Sequence, residues 1–372
     1  MTYLDYSATT TPNEEVLNTF LEVSRKYIAN PNSLHKLGIE ANNIIDASTE
    51  QIARLLKISK KEIIYTSGAS ESNNMAIKGI AYKYQNRGKH IITTNFEHSS
   101  IYGPLSYLQK QGFKVDFVKT NEFGIVDLDD LKHLLTDETI LVSICAVNSE
   151  IGIKQPINEI GLLLKEYPKC FYHVDMTQAL GKVEINLDNV SLASFSAHKI
   201  YGIKGIGMLY KKENITLEPL IHGGKSTTIY RSGTPATSLI VSLAKAIRLI
   251  LSNLDNNYKY VLNLNNKLKE ELNKLESVSI NSNDFCIPHI LNISVVGIKP
   301  ETMLHALEQH DIYISTQTAC SKGEVSKSVL ALTNDINKAS SSLRISLSHL
   351  TKEEDITYFI KWFNKCINDL RS

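Results

Sequence analysis

The chain reads as an α/β fold with a mostly parallel seven-stranded sheet, followed by a smaller α+β part. Two patterns predict it. Seven short apolar, strand-like runs lie between residues 62 and 210, and helix-like segments separate the first five. That alternation builds a parallel sheet with helices on both faces. After Pro235 the pattern changes to long helical stretches flanking shorter strand-like pieces. A chain of 372 residues also exceeds the size at which one core stops growing, so two domains are expected.

The first helix should start at Thr11-Pro12-Asn13-Glu14: a capping Thr, Pro at the first helical position and Glu three residues on. Val16, Phe20, Val23 and Tyr27 then recur at helical spacing and give it one buried face. The strand-like runs are Glu62–Thr66, His90–Thr94, Lys114–Lys119, Ile140–Val147, Cys170–Asp175, Ser191–Ser196 and Ile206–Tyr210. The last two connections are short, and a turn there would make Ile206–Tyr210 antiparallel. Helices are expected over about 238–275 and 352–370, with strands at Ile290–Val295 and Leu343–Ser346 between them. The division is therefore a large α/β domain over 13–255 and a small α+β domain over 256–372. Residues 1–12 suit either.

Composition excludes several classes. Basic residues (40) nearly balance acidic ones (39), so no net field recommends nucleic acid as a partner. The N-terminus carries no basic-then-apolar signal, and no apolar run approaches the ~20 residues needed to span a bilayer. Five cysteines, odd in number and widely spaced, do not form a disulfide framework or CxxC metal pairs. A protein of a reducing cytoplasm, with no membrane partner, is expected.

In open α/β sheets ligands gather at the carboxyl ends of the strands. After Glu62–Thr66 comes Ser67-Gly-Ala-Ser-Glu-Ser-Asn-Asn74, whose small residues and helix start suit a phosphate, although taken alone they equally make an ordinary capped turn. After His90–Thr94 comes Glu97-His98, and after Ile140–Val147 comes Asn148. Asp175 ends the next run, with Gln178 three residues on. No second carboxylate or His stands nearby at ligand spacing, so no metal site is expected. Ser196-Ala-His198-Lys199 then places a lysine between a strand end and a glycine-rich segment. An imine-forming lysine, an acid for a ring nitrogen and a phosphate cup are what pyridoxal phosphate needs. Lys199, Asp175 and Ser70, Ser196 and His198 supply one of each. Cys320 sits in Ser315-Thr-Gln-Thr-Ala-Cys-Ser-Lys-Gly-Glu324, a polar segment in which a thiol can act as a nucleophile.

The chain resembles the cysteine desulfurases of the NifS/IscS type, in the class V aminotransferase family, nearly end to end. The likeness is carried by Tyr3-Leu-Asp-Tyr-Ser-Ala-Thr-Thr10, Asn30-Pro-Asn-Ser-Leu-His35, Thr66–Asn74, Glu97-His98 and Asn148-Ser-Glu-Ile-Gly152. It continues through His173-Val-Asp-Met-Thr-Gln178, Ser196-Ala-His-Lys199, Arg231-Ser-Gly-Thr234 and Ala319-Cys320-Ser321.

The resemblance implies the fold type I of pyridoxal phosphate enzymes. Lys199 would bond the cofactor and later remove the Cα proton, Asp175 would hold the ring nitrogen protonated, and His98 would stack on the ring and shuttle a proton. Gln178 would bond the phenolic oxygen. Ala69, Ser70, Ser196 and His198 would hold the phosphate, joined by Thr234 from the other subunit of a homodimer. Arg344 and Asn148 would bind the carboxylate of L-cysteine. Cys320 would take the sulfur as a persulfide, leaving L-alanine, and pass it to an Fe–S scaffold or tRNA-thiolation protein. Alternatives are a selenocysteine lyase or β-lyase of the same fold, and a catalytically weak sulfur-relay scaffold. Members commonly have Asn-Ala-Ala where this chain has Tyr6-Ser7-Ala8, and often Gly-Gly-Gln-Glu at Gly223-Gly224-Lys225-Ser226. A Gly/Ser pair is usual where Gln317-Thr318 stand.

Overall fold

A computed structural model describes residues 1–316 and 325–371. A short strand β1 (Thr2–Tyr3) opens the chain, followed by helices α1 (Glu14–Lys26) and α2 (Lys36–Leu56). Then strands and helices alternate: β2 (Ile63–Thr66), α3 (Ala69–Tyr84), β3 (His90–Thr93), α4 (Ser99–Gln109) and β4 (Lys114–Phe117). The alternation continues with α5 (Leu128–Leu134), β5 (Thr139–Cys145), α6 (Ile157–Leu164), β6 (Phe171–Asp175), β7 (Leu192–Ser196) and β8 (Gly207–Lys211). These seven strands form one sheet in the order β2-β8-β7-β6-β5-β3-β4. As the short connections predict, β8 runs antiparallel to both of its neighbours, while β7, β6, β5, β3 and β4 pair in parallel.

Successive strand residues go to opposite faces of this sheet. Ile91, Leu141 and Leu192 pack with α3 and α4, and Ile92, Val142 and Ala193 pack with the core under α2 and α7 (Thr237–Ser252). Both faces are covered, which is why the central strands are buried almost throughout rather than alternating between buried and exposed.

The remainder is α8 (Leu254–Leu272), β9 (Ser279–Ile280), β10 (Ile290–Ser294), α9 (Pro300–Glu308), β11 (Ile312–Tyr313), α10 (Lys327–Thr333), α11 (Ile336–Ser340), β12 (Ser342–Ser346) and α12 (Glu353–Arg371). An antiparallel sheet of order β12-β10-β9 packs its apolar face on α8, α9 and α12 through Leu291, Ile293, Leu343, Phe359 and Phe363.

Three local expectations change. The cap of α1 is Asn13, not Thr11: its Oδ1 accepts from Glu15 N at 2.8 Å while Pro12 stays outside the helix. The Asn13 N–H is held by the Tyr201 carbonyl at 2.9 Å, which fixes where the helix begins. The helical stretch 238–275 is two helices, α7 and α8, bent by 66° at Asn253. Each half faces a different core, α7 the large sheet and α8 the small one, and a straight helix could not bury both faces. Residues 1–12 pack on both parts: β1 pairs with β11 and Leu4 joins the small core, whereas Thr10 N donates to the His198 carbonyl beside β7. Among the described residues no single helix is long and apolar enough to cross a membrane.

Candidate active site

A cleft of about 620 Å³ opens at the carboxyl ends of the parallel strands, bounded by residues 7–9 and by Arg344 on β12. Parallel pairing sets Cys145 beside Asp175 and Asp175 beside Ser194, so adjacent strand ends deliver their side chains to one place. Lys199 enters from the 3₁₀ turn Ala197–Lys199 directly after β7. Its Nζ donates to the carbonyls of Ser7 (2.5 Å) and Ala8 (2.8 Å).

The start of α3 supplies the opposite wall. Gly68 precedes it with φ +153°, a conformation open essentially to glycine, and no side chain caps the helix. Its first-turn N–H groups at Ala69 and Ser70 line the cleft with the positive end of the helix dipole, next to Ser196 and His198. Gly207 on β8 makes room: a Cβ there would lie 2.4 Å from the Phe195 carbonyl oxygen and 2.6 Å from the Gly68 Cα.

Asp175 is buried and hydrogen-bonded, accepting from Asn73 Nδ2 (2.8 Å) and Thr177 N (2.9 Å). Asn73 Nδ2 also donates to Ser100 Oγ at 2.8 Å, and that hydroxyl lies 2.8 Å from His98 Nδ1. His98 caps α4, its Nδ1 accepting from Ser100 N at 3.2 Å. Nδ1 is therefore the unprotonated nitrogen, Ser100 Oγ–H its donor, and the ring's proton sits on Nε2. Burial depresses the His98 pKa; Asp175 opposes this, and Lys199 and Arg344 add to it. His98 is thus neutral near pH 7.

Neighbouring groups are tuned the same way. Burial, with Lys199, Lys204 and Lys182, lowers His198 to about 4. Burial lifts Glu97 to about 8 against the bonds from Thr94 Oγ1 and Cys145 N, and Asp175 adds to the rise. Glu97 is then a neutral acid at pH 7, one oxygen of which has no partner among the described residues. Burial also raises all four described thiols, Cys145 (lining the cleft) far above its usual range, Cys170 to about 12, Cys286 to about 11, and Cys366. None is a ready nucleophile.

Arg344 is buried, its guanidinium donating to Asp5 Oδ1 (2.8 Å) and the Ser149 carbonyl (3.0 Å), while Nε has no partner among the described residues. The structure thus gathers Ala69, Ser70, His98, Asp175, Gln178, Ser196, His198, Lys199 and Arg344 at one cleft. Asn148 does not line it. Its amide is used by the protein on both ends: Nδ2 by the Phe96 carbonyl and Ser328 Oγ, Oδ1 by Glu150 N and Ile151 N. Thr234 lies exposed beyond the cleft, on a segment held to α3 by Arg231 Nε and Glu71 Oε1 at 3.0 Å. Cys320 lies outside the described residues.

Comparison with known proteins decides the family. A model described as Aminotransferase class-V matches residues 2–359. The chain belongs to the class-V aminotransferase family. Within it, the cysteine desulfurase IscS of Clostridium botulinum (strain Hall) is 39% identical over 377 residues, covering 99% of this chain and 95% of that protein. A NifS/IcsS protein homolog of Lactobacillus delbrueckii subsp. bulgaricus is 40% identical over 373 residues, covering 98% and 97%. A solved NifS-like protein superposes with a TM-score of 0.93 at 34% identity, covering 99% of both chains.

Several functional positions of this class-V aminotransferase family member escape sequence reasoning. Ser100 and Lys182 stand in no motif of the sequence. The carbonyls of Ser7 and Ala8 carry no side-chain signal at all. Asn73 alone had a hint, as the penultimate residue of the Ser67–Asn74 segment.

Proposed function

We propose that this chain is a pyridoxal phosphate-dependent cysteine desulfurase that converts L-cysteine to L-alanine and carries the released sulfur on Cys320. One observation carries the reading: Lys199, Asp175 and an uncapped helix start converge on one cleft that Arg344 also enters. The names of the relatives agree with it. The residues fit the cofactor. Lys199 can bond its aldehyde, Asp175 its ring nitrogen, and Ala69, Ser70, Ser196 and His198 its phosphate, with Thr234 of a second subunit of a homodimer. When bound, the ring supplies an electron sink for charge developing at the substrate Cα.

The chain's own residues would then do the rest. Arg344 holds the substrate carboxylate through its planar guanidinium. Lys199 Nζ would take the Cα proton, and neutral His98, which lines the same cleft with its proton on Nε2, would relay a proton at that nitrogen. The Cys320 thiolate attacks the substrate sulfur. The S–S bond forms as the Cβ–S bond breaks, the carbon side keeps the electron pair and gains protons to become L-alanine, and Cys320 is left as a persulfide. A sulfur-acceptor protein takes the terminal sulfur. Asn148 would act behind this site, bracing Phe96 and Ser328 rather than touching substrate. The four described thiols are unpaired, which fits a reducing compartment such as the cytoplasm.

The test is single-turnover production of L-alanine and sulfide from L-cysteine by the loaded protein, with and without thiol reductant. Cys320→Ala should abolish sulfide release while keeping the cofactor's visible band, and Lys199→Ala should remove the borohydride-sensitive band. Undiminished sulfide release by Cys320→Ala would replace this reading with that of a β-lyase or selenocysteine lyase.

A further inference from the structure

Lys182 lies in the turn after β6, only 7% exposed, and the steps above give it no task. Its Nζ donates to Gln178 Oε1 at 2.8 Å. Gln178 Nε2 in turn donates to the Ser7 carbonyl at 3.0 Å, and Gln178 lines the cleft. These two neighbours fix which end of the amide is which. An ammonium can only donate and a carbonyl can only accept, so the oxygen must face Lys182 and the nitrogen Ser7. The amide's second N–H has no protein partner among the described residues.

We propose that Lys182 is a positioning residue: it locks the Gln178 amide so that the cleft is offered a hydrogen-bond donor and never an acceptor. The group that benefits is the ring oxygen of the cofactor, so the inference rests on the pyridoxal phosphate reading above. An anionic ring oxygen is stabilised by a donor and repelled by an amide oxygen. A freely turning Gln178 would present both.

The surroundings of Lys182 favour this over an ordinary ion pair. Gln178 is its one hydrogen-bond partner among the described residues, and no carboxylate pairs with it. The charged groups it feels are Lys199 and Arg344, both cations, and it in turn depresses His198 and His289. Burial and those cations bring Lys182 down to about 7. Below that value the ammonium can only donate; above it the neutral amine still has N–H donors for Gln178 Oε1, and the Ser7 carbonyl, which can only accept, keeps the amide nitrogen on its own side. A buried ammonium with a single neutral partner is an expensive way to fill space, and it makes sense only if that partner's orientation matters.

The experiment titrates the visible absorbance band of the loaded protein against pH. The parent, Lys182→Met, Gln178→Leu and the double variant are compared. A donor on the ring oxygen favours loss of the neighbouring proton, so Lys182→Met should raise the midpoint by about half a pH unit, a ~3-fold change in proton affinity. In the Gln178→Leu background the same substitution should shift nothing, because Lys182 acts through the amide. An unchanged midpoint in Lys182→Met overturns the inference and leaves the cofactor reading standing. An equal shift in both backgrounds also overturns it, since Lys182 would then act by charge alone. A parent protein without any borohydride-sensitive band sinks the cofactor reading itself. Lys182→Met should fold, because it removes a lone buried charge; Lys182→Leu, which likewise carries no hydrogen-bond donor, serves with the same expectations if it does not.

Discussion

Asn73 joins two groups that the chemistry keeps apart. One N–H of its amide goes to the Asp175 carboxylate and the other to Ser100 Oγ, which in turn sets the tautomer of His98. Its own Oδ1 is buried without a partner among the described residues, which the site tolerates to keep both donors. Asn73→Ala should lower stability by about 2 kcal/mol, the scale of a hydrogen bond to a charged group, read as a shift in the urea midpoint at pH 7.5. Lys199, Asp175, His98 and Arg344 were legible from sequence because each is a reactive type in a specific string. Asn73, Ser100 and Lys182 were not, because an amide, a hydroxyl or a lysine in a turn has many dull uses. Only the fold brings Ser100 beside Asn73 from another helix.

At the scale of elements, strand β8 shows how a segment far from the chemistry shapes it. It is the one antiparallel strand of the large sheet, and its first residue, Gly207, leaves room for the Gly68 turn that aims α3 into the cleft. Gly207→Ala forces backbone atoms apart on two sides, so a loss of about 2–3 kcal/mol in urea unfolding is expected, together with weaker cofactor retention on dialysis. The strand runs themselves were readable because a doubly covered sheet needs continuous apolar stretches. The break at Asn253 was not, since no Gly or Pro marks it and the helical pattern continues past it. The bend comes from tertiary packing, with α7 held by α1 and α2 and α8 by α12.

For the whole molecule, buried histidines couple acid to unfolding. His289, near the junction of the two cores, is held down to about 3 by burial and by Lys182 and His349, and its Nδ1 has no partner among the described residues. His173 is lowered to about 4 by burial. In the folded protein these rings stay neutral while the unfolded chain takes up protons below about pH 6.5, so stability is complete above that pH and falls towards pH 3. Glu97, held protonated to about 8, works in the opposite sense between about pH 4.5 and 8. The contribution of one ring is isolated by His289→Leu. Relative to the parent, that variant should gain about 2 kcal/mol on going from pH 7.5 to pH 5, measured by urea unfolding at each pH.

The N-terminal dozen residues belong to both cores and to the cleft between them. They meet the site through the side chains of Asp5, Thr9 and Thr10 and, around Tyr6–Ala8, through peptide groups: the Ser7 carbonyl serves Lys199 and Gln178, and the Ala8 carbonyl serves Lys199. Every amino acid carries those groups. The departures from the family's usual letters at Tyr6 and Ser7 therefore leave those contacts in place, and the buried Ser7 hydroxyl adds no bond of its own. At Ser7 and Ala8 the contacts are specified by the path of the backbone, so the spelling there is free to drift where the course is not, whereas Asp5, Thr9 and Thr10 are held to their letters by side-chain bonds.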